Sequence, residues 1–299
     1  MERPETPSSV ASSLANVFVL KQVSYRYNPE TPALSNISVE FRTGENVAIL
    51  GANGCGKSTL LKLLGGLLFA QEGEVLAFGE PLTEAFLNVE RNAHRFRRRV
   101  GFVFQNADAQ LFSATVREEL AFGPLHLGLP YEEVLQRVHD VARLVNVESL
   151  LDRPPFLLSH GEKRRVALGC VLATNPDVLL LDEPTTGLDP RSQVRFLELL
   201  HALHQAGKTL IISTHDLHLV PEIAQRALIM AEDHTLAADI PAAQLFDNLD
   251  LLYRVNLIHE HMHRHGNIVH SHPHYHSGEH AHSHLPSLES PSQKPENES

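Results

Sequence analysis

Residues 51–59 read Gly51-Ala52-Asn53-Gly54-Cys55-Gly56-Lys57-Ser58-Thr59, a fit to the pattern G-x-x-x-x-G-K-[ST]. The stretch follows a short apolar run, Asn46 to Leu50, and precedes the helical pattern Leu60 to Leu64. That context, strand then glycine-rich loop then helix, gives the pattern its physical meaning. Glycines let backbone N–H groups turn inward around phosphate oxygens, and the helix N-terminus adds positive potential. Lys57 is then expected to reach the β- and γ-phosphates of a nucleotide, and the Ser58 hydroxyl to ligate Mg²⁺. Cys55 fills a free position of the loop.

A nucleotide site also needs a carboxylate that organises magnesium. Val178-Leu179-Leu180-Leu181-Asp182-Glu183 supplies an apolar strand that ends in two acids. The expected division of labour has Asp182 holding Mg²⁺ and Glu183 orienting and polarising the attacking water.

Outward from these two stretches, period and punctuation place further elements. Val17 to Tyr27 and Ile37 to Phe41 alternate as half-buried strands do and predict an N-terminal β layer. Strand-like runs recur at Val100 to Phe104, Leu210 to Ser213 and Ala227 to Met230. Helical patterns lie at Tyr131 to Val145, Arg191 to Gln205 and Leu217 to Ala224. Strands alternating with helices imply an α/β fold with a mainly parallel sheet. The mostly helical text from Gln105 to Ser159 implies a helical subdomain, about 106–175, inserted into it. The resulting division is a polar arm over 1–16, a main domain over 17–240, a short helical extension over 241–258 and a tail over 259–299.

Composition narrows the function classes. The 299 residues carry 25 Lys+Arg against 36 Asp+Glu, a net charge of −11, with two cysteines and no tryptophan. Two cysteines build neither a disulfide framework nor a Cys₄ zinc site, which favours a cytosolic setting. The acidic balance, with no basic cluster beyond Arg95 to Arg99, argues against nucleic acid as a partner. That basic run reads as a solvated helix face. The apolar stretches fall well short of the roughly 20 residues that span a bilayer.

The remaining motifs resemble those of the ATP-binding cassette (ABC) ATPases, in that family's order, across Val17 to Ala238. Gln105 falls at the Q-loop, Leu158-Ser159-His160-Gly161-Glu162-Lys163 at the signature, Gly187-Leu188-Asp189 at the D-loop and His215 at the switch histidine. The resemblance implies a cassette with a P-loop core sheet, an antiparallel β layer and a helical subdomain. It implies ATP and Mg²⁺ as cofactors, with Ser58, Gln105 and Asp182 around the magnesium. Glu183, His215 and Gln105 would serve hydrolysis. Tyr27 would stack on adenine, with Tyr25 close enough to leave the choice open. Ser159, Gly161 and Asp189 would face the nucleotide of a second ATPase subunit. His160 and Glu162 stand where the family more often has Gly and Gln. Independently, Ser159 with Glu162 three residues on is a capping box, so a helix starts there.

A narrower resemblance runs from Phe104 to Val116 and on through Glu118-Glu119-Leu120-Ala121-Phe122-Gly123-Pro124. It is similar to the segment after the Q-loop in energy-coupling factor (ECF) importers, the cobalt and nickel transport ATPases, with Ala107 in place of their proline and His126 in place of their asparagine. The resemblance implies transmembrane transporter subunits as partners and a peripheral place on the cytoplasmic face of the membrane. Val116, Leu120 and Phe122 could offer an apolar face to a helix of such a subunit.

Eleven of the twenty histidines lie in the tail, in three alternating blocks: His259, His261, His263, His265; His270, His272, His274, His276; and His280, His282, His284. A spacing of two puts imidazoles on one side of an extended chain, and neutral imidazole ligates Ni²⁺, Co²⁺, Zn²⁺ and Cu²⁺. The tail should lack structure without a ligand, and its binding should weaken below about pH 6.5 as imidazoles protonate. Together these features predict the ATPase of a nickel or cobalt importer. Zinc or another cargo, and a metal-storage or chaperone protein with a nucleotide site, are the alternatives.

Overall fold

The computed structural model of the protein describes residues 15–265 and 268–275, with side chains to Ile258. The polar arm, but for its last two residues, and the histidines His276, His280, His282 and His284 lie outside the described residues.

The chain opens with β1 (Asn16–Asn28) and β2 (Thr31–Arg42), an antiparallel pair. In β2, Ile37, Val39 and Phe41 are buried while Ser38, Glu40 and Arg42 are exposed, the alternation of a sheet with one face in a core. β3 (Asn46–Leu50) leads into the loop of residues 51–56 and α1 (Lys57–Leu64). β4 (Glu72–Ala77) and β5 (Glu80–Pro81) return to complete a four-stranded antiparallel layer, ordered β2-β1-β4-β5.

α2 (Glu84–Leu87) and α3 (Glu90–Arg99) lead to β6 (Val100–Val103). In α3, Ala93 and Phe96 are buried and the arginines of the last turn follow the solvated face. Arg99 is the exception, since its guanidinium lies 3.4 Å from the centre of the Phe78 ring and 2.8 Å from Asp177.

A helical body follows, made of α4 (Val116–His126), α5 (Tyr131–Leu144) and α6 (His160–Ala173). β7 (Val178–Asp182), α7 (Pro190–Gln205), β8 (Thr209–Ser213), α8 (Val220–Ile223), β9 (Arg226–Met230) and β10 (Leu236–Pro241) close the main domain. The second sheet runs β10-β9-β3-β8-β7-β6 and is parallel from β9 to β6, with β10 antiparallel at one edge. Every residue of β3, β7 and β8 is buried, as expected of parallel strands covered on both faces.

The sheet divides two cores. Ala48, Leu50, Leu179, Leu181, Leu210 and Ile212 face the helical body and α8, while Val47, Ile49, Val178, Leu180 and Ile211 face α1 and the antiparallel layer.

Beyond β10 comes a 3₁₀ turn over Ala242–Asp247 and then α9 (Leu249–Arg254). Leu251, Leu252, Val255, Leu257 and Ile258 join the first core. β11 (Ile258–His265) and β12 (Ile268–Tyr275) then pair as an antiparallel hairpin. Over 259–265 and 268–275 the described tail thus pairs as strands where the sequence reading expects no structure, and 276–299 lie outside the described residues. The alternating pattern has the period of a strand, and two such runs separated by Gly266-Asn267 carry the sequence signal of a hairpin.

Candidate nucleotide site

The parallel strands deliver their functional residues at one edge. β3 ends in the glycine-rich loop, β8 ends before Thr214-His215, β7 ends in Asp182-Glu183 and β6 ends before Phe104-Gln105. These four strands are consecutive neighbours, β3-β8-β7-β6, so residues far apart in the chain meet outside the carboxyl ends of one sheet, where α/β folds bind ligands.

The loop is shaped by its glycines. Gly56 has φ +111°, and a Cβ there would sit 2.1 Å from the Ala33 carbonyl oxygen. No larger residue fits, and Gly56 caps α1 without a side chain, which leaves the first N–H groups of the helix for an anion. Lys57 donates to the carbonyls of Gly51 at 2.8 Å and Ala52 at 3.2 Å, and its ammonium stands 3.9 Å from Oε1 of Glu183.

The acids are held in place. Asp182 Oδ1 accepts from Ser58 Oγ at 3.0 Å and from Ser213 Oγ at 2.6 Å. The pairing of a hydroxyl with a carboxylate is an all-oxygen donor set that suits Mg²⁺, so Ser58 and Asp182 fit the ion. Glu183 sits in the left-handed region at φ +47°, uncommon for a residue other than glycine. Its own N–H donates to the hydroxyl of Ser213 at 3.0 Å, and its Oε2 accepts from Thr186 Oγ1 at 3.2 Å and lies 2.7 Å from Nδ1 of His215. Burial pushes the Glu183 carboxyl up, but the bond and charge of His215, with the charge of Lys57, outweigh it and hold it below the usual carboxylate range. The bond to Glu183 raises His215, and burial opposes that rise only in part. The pair therefore favours carboxylate and imidazolium.

A cleft of about 600 Å³ opens over this edge, and Tyr27, Asn53, Lys57, Ser58, Gln105 and Glu183 are among its walls. Gly54, Gly56 and Thr59 line it as well. Tyr27 lines the cleft and reaches Thr59 through a 3.2 Å hydrogen bond, whereas Tyr25 packs edge-on behind it at 5.2 Å. Of the two tyrosines, Tyr27 is the one that lines the cleft. Cys55 is buried, and burial pushes its thiol up, the opposite of a reactive thiolate.

The other expected residues are elsewhere. Ser159 caps α6 in the expected box, with Glu162 N–H donating to Ser159 Oγ at 3.3 Å and Ser159 N–H to Glu162 Oε2 at 2.7 Å. Ser159, Gly161 and Asp189 are not walls of the cleft. Asp189 caps α7 through Ser192, and a Cβ on Gly187 would lie 3.9 Å from the His160 ring. The signature and D-loop segments thus adjoin one another, apart from their own chain's cleft.

The segment after Gln105 also brought a correction. Val116 and Leu120 are fully buried in the core, so neither is open to a partner. Phe122, the third residue of the expected face, is exposed, as are Phe112 and Leu125, and Phe112 and Phe122 meet edge to face at 4.8 Å. Glu119, which sequence reasoning passed over, is buried and accepts the N–H groups of Phe112 at 2.9 Å and Ser113 at 2.6 Å. The Thr115-x-x-Glu118 capping box that starts α4 was also missed, although its pattern was in plain sequence.

The sequence profile of the ABC transporter family matches residues 34–186. The chain is an ABC ATPase. Among its relatives is the nickel import ATP-binding protein NikO of Rhodobacter capsulatus, 47% identical over 81% of this chain and 95% of that protein. Among solved structures, cbiO1 from Clostridium perfringens, part of the ABC transporter complex cbiONQ, superposes with a TM-score of 0.69 at 35% identity, covering 81% of this chain and 95% of the other. A dimeric ATP-binding cassette in a post-hydrolysis state bound to ADP and Pi matches with a TM-score of 0.69 at 28% identity, over 75% of this chain and 98% of the other.

Proposed function

We propose that this cassette is the ATPase subunit of an ECF-type importer of divalent transition metal ions, nickel or cobalt. The observation that carries the enzymatic part is the convergence of Lys57, Ser58, Asp182, Glu183 and His215 at one sheet edge. Similarity to a nickel import ATPase and to a subunit of cbiONQ supports the cargo.

In this reading the loop N–H groups and Lys57 grip the phosphates, while Tyr27 offers its ring to the base. Ser58 and Asp182, with Gln105 nearby, would hold Mg²⁺, which when bound neutralises charge on the β- and γ-phosphates. Glu183 orients water, and His215 fixes the Glu183 carboxylate by its hydrogen bond. Ser159, Gly161 and Asp189, distant from their own cleft, complete the site of a second cassette in a homo- or heterodimer. Their placement and the dimeric relative support this.

Motion reaches the membrane through the segment after Gln105. Lys163 of α6 pairs with Asp108, and Gln110 bridges the Phe104 N–H and the Ala167 carbonyl, each at 3.3 Å. The signature helix and this segment therefore move together, carrying Phe112 and Phe122 toward transmembrane subunits at the cytoplasmic face. The histidine tail buffers or senses the arriving metal. Metal accumulation in cells lacking this chain, compared across Ni²⁺, Co²⁺ and Zn²⁺, tests the proposal: uptake of nickel or cobalt should fall, and no change in any of the three removes the importer function.

A further inference from the structure

The hairpin places its histidines in register. His259 pairs with His274, His261 with His272 and His263 with His270, three consecutive alternate positions on both strands. A shift of one residue would set each of these histidines against Pro273, Ser271 or Val269 instead. The coincidence of two alternating histidine runs with a register that pairs them is what the sequence alone could not show.

We infer that the β11/β12 hairpin is a metal site built from cross-strand histidine pairs, taking a divalent ion of the imidazole-binding kind such as Ni²⁺, and that the third block is not needed for it. Directly opposed residues of an antiparallel pair have Cβ atoms about 4.5–5.5 Å apart, whereas alternate residues of one strand are separated by roughly 6.8 Å. A metal–nitrogen bond is about 2.0–2.1 Å, so two imidazoles on one ion hold their nitrogens within about 4 Å. The cross-strand separation is the shorter of the two, and the register gives His259, His261 and His263 of β11 each an opposed histidine in β12 in addition to its neighbour along the strand, so the pairs supply ligands that a single run lacks. Two adjacent pairs, His261 with His272 and His263 with His270, bring four imidazole residues to one stretch of hairpin.

The site is tethered to the ATPase. β11 starts at Ile258, which is buried in the core that also holds Leu217 and Val220, just after His215. α9, just before β11, buries Leu251 and Leu252 in the same core. A metal held by the hairpin is therefore joined to the cassette through Ile258. Among residues with described side chains, no other group of three His, Cys, Asp or Glu is arranged to hold a metal.

The inference rests on the tail acting as a metal ligand, and the test separates the two. Nickel chloride is titrated into the full chain by calorimetry, alongside three variants. The first exchanges neighbours in β11 (H259E/E260H, H261M/M262H, H263R/R264H), keeping the histidine count and moving the register by one. The second carries His280→Gln, His282→Gln and His284→Gln, and the third replaces all eleven tail histidines with Gln. The exchange should weaken nickel binding by about a hundredfold, the loss expected when a tethered second ligand is removed, and the third-block variant should bind as the parent does. Equal affinity for the exchange variant and the parent overturns the paired site, and a loss with the third-block variant does the same. Equal behaviour of the parent and the variant lacking all eleven overturns the tail as a ligand altogether. With Zn²⁺ as a diamagnetic probe, cross-strand NOEs between residues 261 and 272 and between 263 and 270 should accompany binding; saturation without them also overturns the inference.

Discussion

Nδ1 of His215 lies 2.7 Å from Oε2 of Glu183. That contact joins the ends of two adjacent strands, β8 and β7, and makes one side chain the positional support of the other. Replacing Glu183 by Gln keeps the shape and removes the charge that would polarise water. ATP binding should persist while turnover falls by about 10²–10⁴, the range typical of a lost acid–base group. Steady-state hydrolysis and nucleotide affinity measured on one preparation check this, and unchanged turnover would remove Glu183 from the role.

The same contact sets a pH dependence. His215 is raised above its ordinary 6.5, so its contribution to stability is complete below 6.5 and is lost as pH climbs through the higher folded value. Glu183 is lowered below 4.5, so its contribution is present above 4.5 and is lost as pH falls through the folded value. The pair is thus most favourable between those limits. An NMR titration of His215 should show a midpoint above 6.5 that drops in Glu183→Gln, where burial and the charge of Lys57 act against imidazolium with only Asp216 left to favour it. A midpoint indifferent to the substitution would refute the coupling.

Gly56→Ala tests the loop. The new methyl meets the Ala33 carbonyl and the backbone is held at φ +111°, and a residue forced into such a region costs roughly 1–3 kcal/mol. Thermal unfolding should shift downward, and ATP affinity should drop further than stability alone explains, because the N–H groups that turn toward phosphate move with the strain. A variant with parental affinity would show the loop to be more yielding than its geometry indicates.

Glu119 links the core of the helical body to the exposed Phe112. Glu119→Ala leaves the Phe112 and Ser113 N–H groups without their acceptor, and because both residues are partly open to water the cost should be about 0.5–1.5 kcal/mol for each bond lost. Hydrogen exchange at residues 112–113 should accelerate, and the coupling of hydrolysis to transport should weaken, while Glu119→Gln, which keeps one carbonyl oxygen, should restore part of both. Exchange rates that match the parent would count against Glu119 as the anchor.

Much of the cassette was legible because its signals are local. The loop of residues 51–59, the acids that end β7 and the box at Ser159 each state their chemistry within a few residues. The strands β3, β7 and β8 are apolar throughout because both faces are covered, and they were found within a residue of their ends. Sequence reasoning missed β4, where Glu72-Gly73-Glu74 interrupts the apolar pattern that pairing with β1 requires only in part, and β5, which is two residues long and pairs only with β4. It also assigned Val116 and Leu120 to an open face, since a helix shows its period in sequence but not which side meets the core. The proximity of Tyr27 to Thr59 and of His215 to Glu183 depends on strand order, which is fixed by contacts distant along the chain. The pairing of histidines across the hairpin depends on register, which a one-residue change would reverse.

The central sheet has alternate residues in different cores: Leu179 and Leu181 in one, Val178 and Leu180 in the other. Neighbours in sequence are therefore partners of different bodies, and their substitutions draw on separate sets of contacts. A change at Leu179 and one at an antiparallel-layer residue such as Val39 should add almost without interaction. Two substitutions within one core should not. Evolution could in this way tune the helical body while leaving the nucleotide-binding wall nearly untouched, which gives the cassette a modularity that no domain boundary in the chain announces.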